Sequence, residues 1–151
     1  MHGFYAISSA DQKAYISSLD STGFGWARLA LKDGHAIINT TSSDKNEYYI
    51  PKGFLEPYRE TYFNDSKALL SIYADDTNGT LTQILSSPAM RTEAVQQIAA
   101  TAAYAERDEE NTSFHGVVID FEALRGAQKH NLTLFLQELR TAMGSSPIYV
   151  A

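Results

Sequence analysis

The chain has 151 residues, 44% hydrophobic and 20% charged, with a formal net charge of -6. These values suit one globular unit with a sizeable core and argue against a nucleic-acid backbone as the main partner. No run of five basic residues forms a membrane patch, no apolar stretch approaches the roughly 18 residues of a membrane span, and the absence of cysteine excludes disulfides, thiolate metal sites and cysteine nucleophiles.

Strand and helix signals alternate along the chain. Gly3 to Ser8 predicts a first strand, entered from Met1-His2 without the basic and apolar regions of a signal peptide. Asp11 to Leu19 predicts a helix, and Gly23 to Leu31 a second strand that ends in the Lys32-Asp33-Gly34-His35 turn. His35 to Tyr49 is rich in Ser, Thr and Asn and reads as a loop, with room for a small hairpin through Ala36-Ile37-Ile38. Tyr49-Ile50-Pro51-Lys52-Gly53 leads to a short helix near Phe54 to Tyr62. Lys67 to Tyr73 predicts a third strand, and Asp75 to Thr80 a polar loop at its C-terminal end.

Ser86-Ser87-Pro88 is a helix-start signal, and the spacing of Val95, Ile98, Ala99 and Ala102 carries that helix to about Arg107. Asp108-Glu109-Glu110-Asn111 reads as a solvated loop. A β-branched strand follows over Phe114 to Glu122, then a helix from about Arg125 to Met143 with Leu132, Phe135, Leu136, Leu139 and Met143 as its apolar stripe. Gly144-Ser145-Ser146-Pro147 stops it, and Ile148-Tyr149-Val150 begins a fifth strand. The alternation predicts an α/β fold with a parallel sheet and right-handed crossovers. A doubly wound sheet and a piece of a (β/α)8 barrel both satisfy it. The absence of Gly-x-Gly-x-x-Gly weakens a nucleotide-binding sheet, and a whole barrel takes about 250 residues.

The chemistry concentrates in Phe114-His115-Gly116-Val117-Val118-Ile119-Asp120-Phe121-Glu122. A strand repeats every two residues, so Asp120 and Glu122 share one face while Val117, Ile119 and Phe121 share the other. Burying even one unpaired carboxylate is expensive. Two neighbouring acids at a strand end suit a site in which they hold different protonation states, as glycosidic bond hydrolysis requires. The plainer alternative is a pair of loop-edge acids, with Glu122 favoured by the dipole of the following helix.

Gly116-Val117-Val118-Ile119-Asp120-Phe121-Glu122 resembles the fourth-strand signature of glycoside hydrolase family 18, D-G-x-D-x-D-x-E. That family includes chitinases and bacterial spore-cortex or peptidoglycan N-acetylglucosaminidases. The last two acids fall on Asp120 and Glu122 and the glycine on Gly116, but His115 and Val118 stand where the pattern has aspartates. Lys67 to Ile72 is similar to the family's third strand, with Tyr73-Ala74 where Gly-Gly is usual. Tyr49 to Gly53 is similar to a segment of the spore-cortex branch. The resemblance implies that residues 1–151 form the N-terminal half of the barrel, strands one to five.

It also implies a retaining reaction in which the substrate's own N-acetyl oxygen attacks the anomeric carbon. Glu122 would then be the proton donor, kept protonated by burial and a nearby negative charge. Asp120 would orient the acetamido group and stabilise the cationic intermediate. Val118 cannot share a proton with Asp120 as the missing aspartate would. Tyr5, Trp26 and Tyr73 are candidates to stack on sugar rings, although aromatic strand residues commonly fill a core. Asp75 is a candidate to line the cleft, against the plainer reading of a polar turn.

The four histidines show no metal-ligand spacing, so no metal or cofactor is expected. The expected partner is a polysaccharide containing N-acetylglucosamine, chitin or peptidoglycan, met outside the cell or in its envelope. Five strands of a barrel leave an edge and an inner face open, so self-association is expected as well. Loss of the two aspartates keeps open a non-catalytic, chitinase-like carbohydrate-binding protein.

Overall fold

The structure, a computed structural model, describes residues 1–5, 14–39, 58, 61, 66–103, 105–107 and 110–151. Five strands run parallel and lie side by side in chain order: β1 (His2–Tyr5), β2 (Ser21–Lys32), β4 (Lys67–Asp75), β7 (Gly116–Glu122) and β8 (Ile148–Val150). A doubly wound sheet reverses its order at a switch point. Here each parallel strand follows its predecessor in one direction, the pattern of a barrel wall. The expected partial barrel is therefore the architecture found.

β3 (His35–Asn39) pairs antiparallel with the far half of β2, covering Arg28 to Lys32, beyond Phe24, the β2 residue opposite Tyr5 of β1. Asp33 and Gly34 link them with φ of 51° and 81°. Two successive positive φ values match the twist of a tight hairpin, and an Asp-Gly pair adopts them cheaply.

The helices are α1 (Thr80–Ser86), α2 (Pro88–Ala103) and α3 (Lys129–Met143). Phe24, Leu70, Ile72, Ala74, Val117 and Ile119 from the sheet meet Ile84, Leu85, Ala94, Val95, Ile98, Phe135 and Leu139 from the helices in one buried core. Phe121 packs its ring 5.3 Å from that of Phe135. Arg91 is buried at the junction of all three helices. Its Nη1 donates to the Leu85 carbonyl at the end of α1, and its Nε donates to Glu138 of α3 at 3.0 Å.

Several elements differ from expectation. Within Asp11 to Leu19, residues 14–18 form a tighter 3-10 turn. The polar loop after β4 gives way at Thr80 to α1, a helix that the sequence pattern did not mark. α2 stops at Ala103, where Phe114 N–H takes the Ala102 carbonyl at 2.7 Å, one of the helix's otherwise unpaired acceptors. Beyond it, β5 (Ala105–Arg107) and β6 (Glu110–Thr112) pair antiparallel where a helix end and a charged loop were expected. Tyr58 and Thr61 are helical, and the rest of the expected segment from Tyr49 to Tyr62 lies outside the described residues.

The opposite face of the sheet is concave. His2 of β1 reaches across it and stacks on Tyr149 of β8, ring centroids 4.8 Å apart and planes within 7°. Gly23 lies on the same face, where a Cβ would stand 2.9 Å from Ser71 Oγ and 3.1 Å from Val118 Cγ2. Gly116 is more constrained, because a Cβ there would stand 2.2 Å from the Pro147 carbonyl oxygen. The motif glycine thus lets β8 close on β7, and Val117 N–H donates to that same oxygen at 3.0 Å. Gly116→Ala should therefore cost about 3 kcal/mol, near the upper end for overpacking a fixed backbone. Urea unfolding of the two proteins measures it, and an unchanged midpoint would contradict this packing.

Candidate active site at the strand C-terminal ends

β7 alternates as its sequence dictates. Val117 and Ile119 are fully buried against the helices, while Asp120 and Glu122 emerge on the concave face beyond the buried Val118. The in-register pairing of β4 with β7 sets Tyr73 beside Asp120 and Asp75 beside Glu122. The pairing extends one step further, with Asp76 N–H donating to the Glu122 carbonyl at 3.1 Å. Ala123 then takes φ 58°, which ends the strand abruptly. For a residue with a Cβ this left-handed conformation costs about 1 kcal/mol.

The two acids occupy different environments. Asp120 is partly buried. Burial first, and the charge of Glu122 second, push its carboxyl above the usual range for an aspartate. Glu122 stands exposed at the rim, where the proton-donor role led to an expectation of burial. The exposure has a direct cause, since Glu122 is the last residue of β7 and lies past the end of the apolar layer.

Three further side chains form a connected set around Glu122. Tyr73 is half-buried and its hydroxyl donates to Glu122 Oε2 at 3.5 Å, a long hydrogen bond. Arg28 of β2 holds its guanidinium carbon 5.4 Å from the centre of the Tyr73 ring. Its Nη2 donates to Asp75 Oδ2 at 2.8 Å. Asp75 Oδ1 in turn accepts the Thr77 hydroxyl and the Thr77 N–H. The Thr77 bonds, with Arg28 adding, hold the Asp75 carboxyl below its usual range. Asp76 is also committed, accepting the N–H and hydroxyl of Thr82 at 2.6 Å each. Arg28, Asp75, Asn78 and Thr80 line a cavity of about 180 Å3 beside this set.

Of the residues singled out by sequence, the structure brings Asp120, Glu122, Tyr73 and Asp75 together. Tyr5 is a correction. It is 5% exposed and packs in the core with its ring 5.9 Å from Phe24, because it has the parity of the helix-facing side of β1. Trp26 lies on β2, and its side chain is outside the described residues. His115, at the motif's first aspartate position, is structural. Its Nδ1 accepts Ala68 N–H at 3.1 Å and its own N–H donates to the Ala68 carbonyl at 2.9 Å. Val118, at the middle position, leaves its register neighbour Ser71 with a buried hydroxyl that has no partner among the described residues. Among those residues no group of three acids or histidines is placed to hold a metal ion, and no helix is long and apolar enough to cross a membrane.

Sequence reasoning missed Arg28. The available signal was a lone cation inside Gly-Phe-Gly-Trp-Ala-Arg-Leu-Ala-Leu, which a strand tolerates only with a partner. Nothing local in the sequence names that partner, because Asp75 lies 47 positions away.

A raised aspartate binds more protons in the folded than in the unfolded state, so stability falls as pH rises through the interval above 3.8, the ordinary value. Asp120→Asn should therefore melt at a higher temperature than the parent at pH 7. The difference should shrink as pH falls toward 3.8 and vanish well below it, where the aspartate is protonated in both the folded and the unfolded state. Thermal melts across that range test it, and a less stable variant at pH 7 would overturn this environment for Asp120.

No protein-family model matches the chain, and no curated protein matches it. Solved structures do. A chitinase from Bacteroides thetaiotaomicron is 21% identical with a TM-score of 0.67, the match covering 99% of this chain and 45% of that one. The C-terminal domain of an inferred chitinase from Desulfitobacterium hafniense DCB-2 is 16% identical with a TM-score of 0.68, covering 99% and 44%. An inferred sporulation-specific glycosylase from Bacillus subtilis is 20% identical with a TM-score of 0.52, covering 77% and 40%. The chain thus spans less than half the length of the structures it matches. These structures share its fold, a partial (β/α)8 barrel, as the resemblance implied.

Proposed function

We propose that this chain forms the N-terminal half of a glycoside hydrolase barrel that cleaves polysaccharides containing N-acetylglucosamine, chitin or peptidoglycan, outside the cell or in its envelope. One observation carries the reading: two acids from one strand share the concave face at the C-terminal end of parallel barrel strands, where active sites of such barrels gather. Glu122 is at the rim, where it can reach a glycosidic oxygen, protonate it as it leaves and then activate water. Asp120 lies one step deeper and orients the substrate's acetamido group, whose oxygen attacks the anomeric carbon. Its negative charge stabilises the cationic ring that forms. No protein nucleophile is needed. Tyr73 and Asp75 line the same rim and are the residues placed to meet sugar hydroxyls.

A second reading, a non-catalytic chitinase-like carbohydrate-binding protein, is favoured by Val118. A buried valine cannot pass a proton to Asp120, and Ser71 is left with no hydrogen-bond partner beside it among the described residues. Both readings predict that N-acetylglucosamine oligomers bind.

They part on turnover. The longer protein carrying this chain should cleave such oligomers, and Glu122→Gln should lower kcat at least about 100-fold while binding persists. The 151-residue chain alone should cleave very poorly. Binding without cleavage by the longer protein would select the second reading. Equal turnover by the parent and Glu122→Gln would remove Glu122 from the chemistry.

A further inference from the structure

Arg28 is unusual among the charged groups of β2. It stands within an otherwise apolar stretch, and among the described residues its ion pair and its ring contact both lie on β4. One is Asp75, which the Thr77 N–H and hydroxyl fix from the other side. The other is the face of Tyr73, whose hydroxyl points at Glu122. The series runs from a clamped anion, through a guanidinium, across an aromatic ring, to the carboxylate proposed as proton donor. Each link restricts the next. Asp75 fixes where the guanidinium lies, and a guanidinium over a ring holds that ring by cation–π attraction. The ring position sets how close the hydroxyl comes to Glu122.

We infer that Arg28 is a positioning residue for the Glu122 carboxyl, acting through Tyr73. The inference rests on the glycosidase reading and deepens it. Arg28 touches neither acid of the motif, and its effect on the reaction is indirect. It orients the Tyr73 hydroxyl toward Glu122 Oε2, a contact long at 3.5 Å and able to shorten when substrate closes the site.

The test uses the longer protein carrying this chain, with kcat and KM measured for an N-acetylglucosamine oligomer. Arg28→Met should lower kcat about tenfold with KM within twofold of the parent. Arg28→Lys keeps the charge without the fork and should recover only part of that loss. Tyr73→Phe should lower kcat similarly, and in that background Arg28→Met should cause no further loss, because its route to Glu122 is already cut. Thermal melts accompany each variant, so that a fall in folded fraction is not read as a fall in kcat. Multiplicative losses in the double variant, or a loss in Arg28→Met carried by KM rather than kcat, would overturn the positioning role while leaving Glu122→Gln inactive and the glycosidase reading intact. A parent protein that cleaves nothing would overturn both together.

Discussion

The unbroken parallel ladder between β4 and β7 is the constraint on which the rest of the molecule depends. Seven consecutive residues, Leu69 to Asp75, face Gly116 to Glu122 without a slip. Side chains alternate between faces, so a shift of one residue would turn Val117, Ile119 and Phe121 toward the concave side and both acids into the helices. The register is held at both ends. His115 laces the strand entry through Ala68, and Asp76 N–H closes the exit on the Glu122 carbonyl. Gly116 serves the other edge, where Pro147 comes too close for any side chain. The helix-facing residues of β7 and β4 give the register its energy, and the concave residues give it its chemistry.

That division explains why the acids differ. Asp120 is still within the walls of the sheet, beside Tyr73 and above Val118, so its charge is poorly hydrated and feels Glu122. Glu122 has passed the end of the wall. Holding an aspartate in a place that disfavours its charge works against stability, and the left-handed Ala123 adds local strain in the adjoining turn. Departures from the most stable arrangement that converge on one spot are what a functional site looks like in a fold that is otherwise locally consistent. Asp76 nearby supplies the contrast, since both its carboxylate oxygens are matched by Thr82.

The fold and the site were legible to different depths. Strands with a run of apolar residues ending in polar turns, such as Lys67–Asp75 and Gly116–Glu122, declare themselves because their pattern is local. The pairing of Asp120 with Glu122 on one face follows from period two alone. α1 was not legible, since Thr80 to Ser86 is short, is preceded by a polar turn, and takes its stability from burying Leu81, Ile84 and Leu85. The β5–β6 hairpin was hidden by residues that continue a helical composition past Ala103. Tyr5 is a ligand candidate by aromatic character alone, which says nothing of parity, and parity places it among the core rings with Phe24. Arg28 was illegible for the opposite reason, as its meaning lies entirely in contacts with another strand.

The stacking of His2 on Tyr149 joins the first strand to the last across the hollow of the sheet. Almost the whole chain intervenes, so this contact closes a very large loop and is among the least local in the molecule. Folding that must assemble such contacts is slow. During synthesis the inner surface of the early strands stays uncovered until β8 emerges, an interval in which exposed apolar surface is prone to association.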